Sequence, residues 1–195
     1  MSEMTDLLDR IWSLLSSGAD AGATRSPFTM LQAATLGLDG APKARTIVLR
    51  GVSQEEASLT FHTDVRSEKV SELRKDSRIA LTGCDLDAGI QIRAEGVARV
   101  VDSVEERSAF WSASRPRTLI VYRAPLVPGT VIKSPIDAHA TAEQGNVDPN
   151  AGLENFCLVT VEVNRFDYLD LAPNGHARAK FVRENGIWHG SWVAP

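Results

Sequence analysis

Five short segments place groups that bind or transfer charge at intervals a folded chain can use. In Ala44-Arg45-Thr46-Ile47-Val48-Leu49-Arg50-Gly51, two arginines bracket an apolar run. On a strand that spacing turns them to opposite faces, so they serve different partners. Taken alone, they also fit two solvated charges at strand ends. Phe61-His62-Thr63-Asp64-Val65-Arg66-Ser67-Glu68-Lys69 reads as a strand, a polar turn and a helix start. Free N–H groups at such a start, with Arg66, Ser67 and Lys69 beside them, suit a phosphate. Ordinary capping by Ser67 is the alternative. Gln91 offers a primary amide, which donates and accepts, although exposed strand glutamines are common. Phe110-Trp111-Ser112-Ala113-Ser114-Arg115-Pro116-Arg117 combines an aromatic pair with two arginines, which also fit a core contact and solvated charges. Asn174-Gly175-His176-Ala177-Arg178 carries a lone histidine, more often structural than catalytic.

The elements that must position these groups are written in the periodicity. Met4, Leu7, Leu8, Ile11, Trp12 and Leu15 recur at helical spacing, which predicts an amphipathic helix over 3–17. Extended runs follow at Phe28–Gly37 and Ala41–Gly51, joined across Asp39-Gly40, a hairpin signal. Ser58–Thr63 is a third strand, and a short helix is expected over Ser67–Asp76. Ser77–Cys84 and Ala88–Asp102 return to strand; Ile90, Ile92 and Ala94 alternate with Gln91, Arg93 and Glu95. Ser103-Val104-Glu105-Glu106 has the form of a capping box, so a helix is expected over about 104–113. Residues 123–154, rich in proline and glycine, read as a long loop. Phe156–Asn164 is a strand, and Ala179–Arg183 with Ile187–Val193 form a hairpin across Asn185-Gly186. Strands joined mainly by hairpins imply a mainly β fold, an antiparallel barrel with peripheral helices, as one domain over 1–195. No Gly-x-Gly-x-x-Gly follows a strand, and Walker-type loops and His-Glu-x-x-His are absent from the sequence.

Bulk properties narrow the partners. Of 195 residues, 43% are apolar and 24% charged, enough for a sizeable core. A net charge of −4 argues against nucleic acid but leaves room for a small phosphate, which needs only a few placed cations. The acidic start is unlike a signal peptide, and no run approaches the roughly 18 apolar residues of a membrane span. Cys84 and Cys157 form neither a disulfide framework nor a metal site, and read as two buried thiols in a reducing cytoplasm.

In order and spacing, the five segments resemble the pyridoxamine 5′-phosphate oxidase family, over roughly residues 28–123 and 156–195. Ala44–Gly51 looks like the family's first strand for flavin mononucleotide (FMN), and Leu59–Asp64 through Lys69 like its phosphate turn. Ser114-Arg115-Pro116-Arg117 and Trp188 through Val193-Ala194-Pro195 also match. The resemblance implies an FMN-binding split barrel working as a homodimer, with the flavin at the dimer interface. It implies that Arg45 and Lys69 hold the FMN phosphate, with Thr63 and His62 nearby. Thr46, Ile47, Val48, Leu49 and Arg50 would run past the ring, and Gln91 would contact its edge. Arg178 stands where the family has another FMN-contacting arginine, and Tyr168 where it has a tryptophan.

The departures concern the substrate. Glu68 replaces a basic residue of the phosphate turn. Arg50 stands for a lysine, Trp111 is near a tyrosine position, Arg115 matches an arginine, and Leu119 is near a serine position. Asn174-Gly175-His176 stands for an Arg-x-His. The resemblance therefore implies an FMN-dependent oxidoreductase for a small molecule other than pyridoxamine 5′-phosphate, held by Arg50, Trp111, Arg115, Asn174 and His176. No side chain is assigned as catalytic. Two other readings stand beside it: a flavin carrier or redox sensor without turnover, and a barrel that binds something else or nothing. Glu68, a negative charge near the expected phosphate, favours the last.

Overall fold

A computed structural model describes residues 3–21, 26–138, 148–173 and 175–195. Eight strands form one antiparallel sheet in the order β3-β2-β1-β4-β5-β6-β7-β8. They are β1 (Met30–Leu36), β2 (Pro42–Ser53), β3 (Ser58–Asp64), β4 (Arg78–Asp85), β5 (Ile90–Val101), β6 (Phe156–Asp170), β7 (Ala177–Glu184) and β8 (Ile187–Val193). A further pairing between β3 and β6 closes the first six into a barrel, with Thr63 opposite Cys157. The chain thus has the expected split-barrel architecture. The helices are α1 (Glu3–Asp20), α2 (Glu68–Lys75), α3 (Val104–Ala113) and α4 (Pro116–Leu119).

Alternation fills the barrel. Ile47, Leu49, Leu59, Phe61, Leu81, Ile92, Val159 and Val161 are all buried and belong to one core cluster. Each such side chain contributes about 1.5–3 kcal/mol by leaving water. The amphipathic stripe of α1 closes over the β6–β8 extension. Trp12 meets Phe166 edge-on at 4.9 Å, and Phe166 stacks on Trp188 at 5.3 Å. A second cluster of Val101, Trp111, Leu119, Tyr122, Phe156 and Leu158 fastens α3 and α4 to the barrel.

Most expected elements are present, and the differences have local causes. Strand β1 begins only at Met30, because Pro27–Thr29 is a 3₁₀ turn. The β1–β2 hairpin is a three-residue loop with only Gly40 at positive φ, not a two-residue turn. Asn185 and Gly186 do both take positive φ, as the tight β7–β8 turn requires. Strand β6 runs six residues beyond Asn164 to Asp170. A bulge at Asn164, facing Glu95 and Gly96, resets its alternation. Gly96 is required there, since a Cβ would lie 2.0 Å from the Glu162 carbonyl oxygen. In the segment read as a loop, Pro135–Ala138 and Leu153–Asn155 form 3₁₀ turns. Cys157 is buried but Cys84 is exposed on β4, which corrects the reading of two buried thiols. No helix among the described residues is long and apolar enough to cross a membrane.

Candidate functional site

The turn from β3 into α2 gathers a cation and two hydroxyls. The Lys69 ammonium donates to Thr63 Oγ1 at 2.8 Å and to Ser67 Oγ at 3.3 Å. Ser67 does not cap α2; its hydroxyl donates to the Asp64 carbonyl at 2.7 Å. No carboxylate lies within ion-pair distance of Lys69 among the described residues. Burial, and next the charge of Arg45, hold Lys69 below the usual lysine range. The β2 arginine reaches the helix that follows the turn through Glu72, one turn after Lys69. Arg45 is itself paired: its Nη2 donates to Glu72 Oε2 at 2.6 Å, and Nη1 to the Thr35 hydroxyl.

Arg66 is occupied elsewhere. Its Nε and Nη2 grip Asp64 at 3.0 and 2.7 Å, and Nη2 also reaches the Ala124 carbonyl. Glu68 is exposed at the first position of α2. The Lys69 ammonium and the Thr63 hydroxyl beside the orphan N–H groups of a helix start, with the Glu72-paired Arg45 guanidinium reaching the same helix, fit a phosphate.

A second cleft, of about 260 Å³, opens near the end of β2, at Leu49 and Arg50. Arg50 lines it with His62, Phe110, Ser114, Arg115 and Thr118. Arg50 stands at a bulge of β2, between Leu49 paired with Phe61 and Gly51 paired with Thr60, and it shares the cleft with Arg115. Burial, reinforced by the Arg50 charge, pushes the His62 imidazole down to about 4. Its ring meets Phe156 edge-on at 4.7 Å, and Nε2 is buried without a hydrogen-bond partner among the described residues. Trp111 does not line this cleft. It is 3% exposed in the second cluster, its indole N–H donating to the Pro149 carbonyl at 2.9 Å. Phe110, one residue earlier, faces the cleft instead. Leu119 is likewise buried, and Thr118 supplies the hydroxyl there.

The remaining candidates lie apart within one chain. Gln91 and Arg178 both pair with Leu169, whereas Thr63 pairs with Cys157. Roughly 40 Å of extended β6 separates those two positions. Tyr168 is buried in the core, with its hydroxyl 3.3 Å from Asp170 Oδ2. Arg178 forms a two-pronged pair with Asp167, at 3.0 and 2.8 Å, which holds that carboxyl below its usual range. His176 is exposed, and Asn174 lies outside the described residues. Thr46 is exposed, Val48 half-buried, and Ile47 and Leu49 point into the core.

Sequence reasoning missed Glu72 and Thr35. An acid on a helix usually reads as solvated, yet Glu72 falls one turn after Lys69, on the inward side with Leu73. That placement was the available signal.

Comparison with known proteins follows the same outline. Residues 10–102 match the family model described as pyridoxamine 5′-phosphate oxidase, FMN-binding domain. Pyridoxine/pyridoxamine 5′-phosphate oxidase 2 of Arabidopsis thaliana is 31% identical over 172 residues, 84% of each chain. The pyridoxine/pyridoxamine 5′-phosphate oxidase of Cupriavidus metallidurans is 36% identical over 83 residues, 43% of this chain and 37% of that protein. Among solved structures, a pyridoxamine 5′-phosphate oxidase-related, FMN binding protein from Nostoc punctiforme has a TM-score of 0.77 at 22% identity, covering 100% of this chain and 99% of the other. PhzG from Burkholderia lata, solved with tetrahydrophenazine-1-carboxylic acid, has a TM-score of 0.73 at 21% identity, covering 100% and 94%. These two likenesses show the fold.

Proposed function

The chain belongs to the pyridoxamine 5′-phosphate oxidase FMN-binding family, and from that premise we propose that it binds FMN and acts as an FMN-dependent oxidoreductase on a small anionic substrate. One observation carries the cofactor reading: the Lys69 ammonium meets the Thr63 and Ser67 hydroxyls with no carboxylate within ion-pair distance among the described residues, while Arg45 reaches the same helix through Glu72. Arg45, Lys69, Thr63 and Ser67 would hold the phosphate. Bound there, the flavin supplies the hydride chemistry.

The cleft of Arg50 and Arg115 suits the substrate. Two guanidinium groups attract an anion, Phe110 offers an aromatic wall, and Ser114 and Thr118 offer hydroxyls. With its imidazole neutral above about pH 4, His62 adds no charge at neutral pH. Its ring packs against Phe156 and helps exclude water from the base of the cleft.

We further propose a homodimer. The separation of Gln91, Tyr168 and Arg178 from the Thr63–Lys69 turn favours it, because a second copy can bring such residues to a flavin that its own chain cannot. Exposed apolar residues on the barrel wall, Leu36 and Val97 at 38% and 45%, suit coverage by that copy.

The substrate reading is tested with FMN-loaded protein and pyridoxamine 5′-phosphate under air. Neither Leu119 nor Trp111 lines the cleft, both being buried in the second cluster, so the expected rate falls well below about 1 per second. A rate at or above that value would assign this substrate to the cleft and refute the departure inferred from Asn174 and Leu119.

A further inference from the structure

The phosphate cup contains a carboxylate that an anion site does not need. Glu72 is 1% exposed. Its Oε2 accepts from Arg45 Nη2 and from Thr35 Oγ1, each at 2.6 Å, and Arg45 also donates to Thr35. Burying an ionised carboxylate is costly unless it is paired and hydrogen-bonded. Glu72 is both, through Arg45 and Thr35.

The arrangement solves one problem and creates another. Arg45 is held against α2 through Glu72, one turn after Lys69, and its charge helps to depress the ammonium. Two partly buried cations at that range repel, and Glu72 relieves the repulsion permanently from inside the fold. A ligand phosphate would relieve it from outside. Both anions then want the same guanidinium, whose terminal nitrogens are already engaged by Glu72, Thr35 and the Lys43 carbonyl. The phosphate must also approach a fixed negative charge.

We propose that Glu72 is an internal counter-ion of the cup, which steadies Arg45 when no ligand is bound and weakens the grip on a phosphate by competing for Arg45. This positioning role rests on the FMN-phosphate reading above. It couples two quantities in opposite directions. Weakening Glu72 lowers the stability of the empty protein and raises its affinity for phosphate-bearing ligands. A role in structure alone would lower both.

The experiment compares wild type with Glu72→Gln, which keeps an acceptor for Arg45 and Thr35 but removes the charge. FMN and riboflavin, which lacks the phosphate, are titrated by flavin fluorescence, and the flavin-free proteins are melted. The expected result is a lower melting temperature, FMN bound about tenfold more tightly, and riboflavin affinity unchanged. Glu72→Asp, with a shorter reach to Arg45, is the second variant should the first not accumulate. Its FMN-to-riboflavin preference is expected to rise less, but to rise. A preference that falls or stays level in either variant, while wild type prefers FMN, overturns this inference alone. Equal wild-type affinities for FMN and riboflavin would overturn the phosphate-cup reading and this inference with it.

Discussion

Arg45 and Lys69 share the work of holding a phosphate, yet removing them has different consequences for the empty protein. Arg45→Ala strands Glu72, a carboxylate whose side chain is 2% exposed, with only the Thr35 hydroxyl. Breaking one side of a buried pair costs about 3–5 kcal/mol. At roughly 2–4 °C per kcal/mol for a chain of this size, the melting temperature should fall by on the order of 10 °C. Lys69→Met strands nothing charged, since its partners are the Thr63 and Ser67 hydroxyls. It also removes an ammonium that burial disfavours. The flavin-free Lys69→Met protein should therefore melt within about 2 °C of wild type or above it. Both variants should lose FMN affinity, by about 1.5–3 kcal/mol or 10- to 150-fold for one charged hydrogen-bonding group. Thermal melting of the flavin-free proteins and fluorescence titration with FMN measure the two quantities separately. Equal melting losses in the two variants would refute the assignment of Glu72 to Arg45. Unchanged FMN affinity in Lys69→Met would refute the cup.

Acid should weaken the fold through His62. Its folded value of about 4 lies below the ordinary 6.5, so the unfolded chain binds a proton that the folded chain refuses. Stability is fully present above about 6.5 and falls as pH drops toward 4, by at most about 1.4 kcal/mol per unit for this group. Denaturant melts across that window should flatten in His62→Phe; an unchanged slope would contradict the burial argument. Gly96→Ala should cost about 3 kcal/mol, because its Cβ would meet the Glu162 carbonyl oxygen at 2.0 Å; a melting temperature equal to wild type would mean the bulge relaxes freely. Light scattering at micromolar concentration should report twice the chain mass, and a stable monomer would remove the dimer proposal.

The barrel was legible wherever one strand carried its own alternation. Ile90, Ile92 and Ala94 point inward as their period demands, and Asn185-Gly186 makes the turn its residue types favour. The helix from Val104 to Ala113 begins where Ser103 accepts from the Glu106 N–H, at 3.2 Å. Non-local pairing was not legible: nothing in β3 or β6 alone says that Thr63 will face Cys157. The extent of β6 was hidden by the bulge at Asn164, which shifts the phase that periodicity relies on. At the candidate site, residue type and spacing pointed to Lys69 with Arg66 and Ser67, and only the family resemblance added Arg45 and Thr63. Phe110 and Trp111 were not separable, because α3 buries a single residue and lacks a clear apolar stripe. Glu72 escaped because its burial depends on a partner from β2, 27 residues earlier.

The most direct test of the account is a crystal structure of the protein grown with FMN. The phosphate is expected within hydrogen-bond distance of Lys69 Nζ and Thr63 Oγ1, with Arg45 turned toward it. A flavin whose phosphate lies away from Lys69, or crystals that remain colourless and free of flavin at saturating FMN, would contradict it.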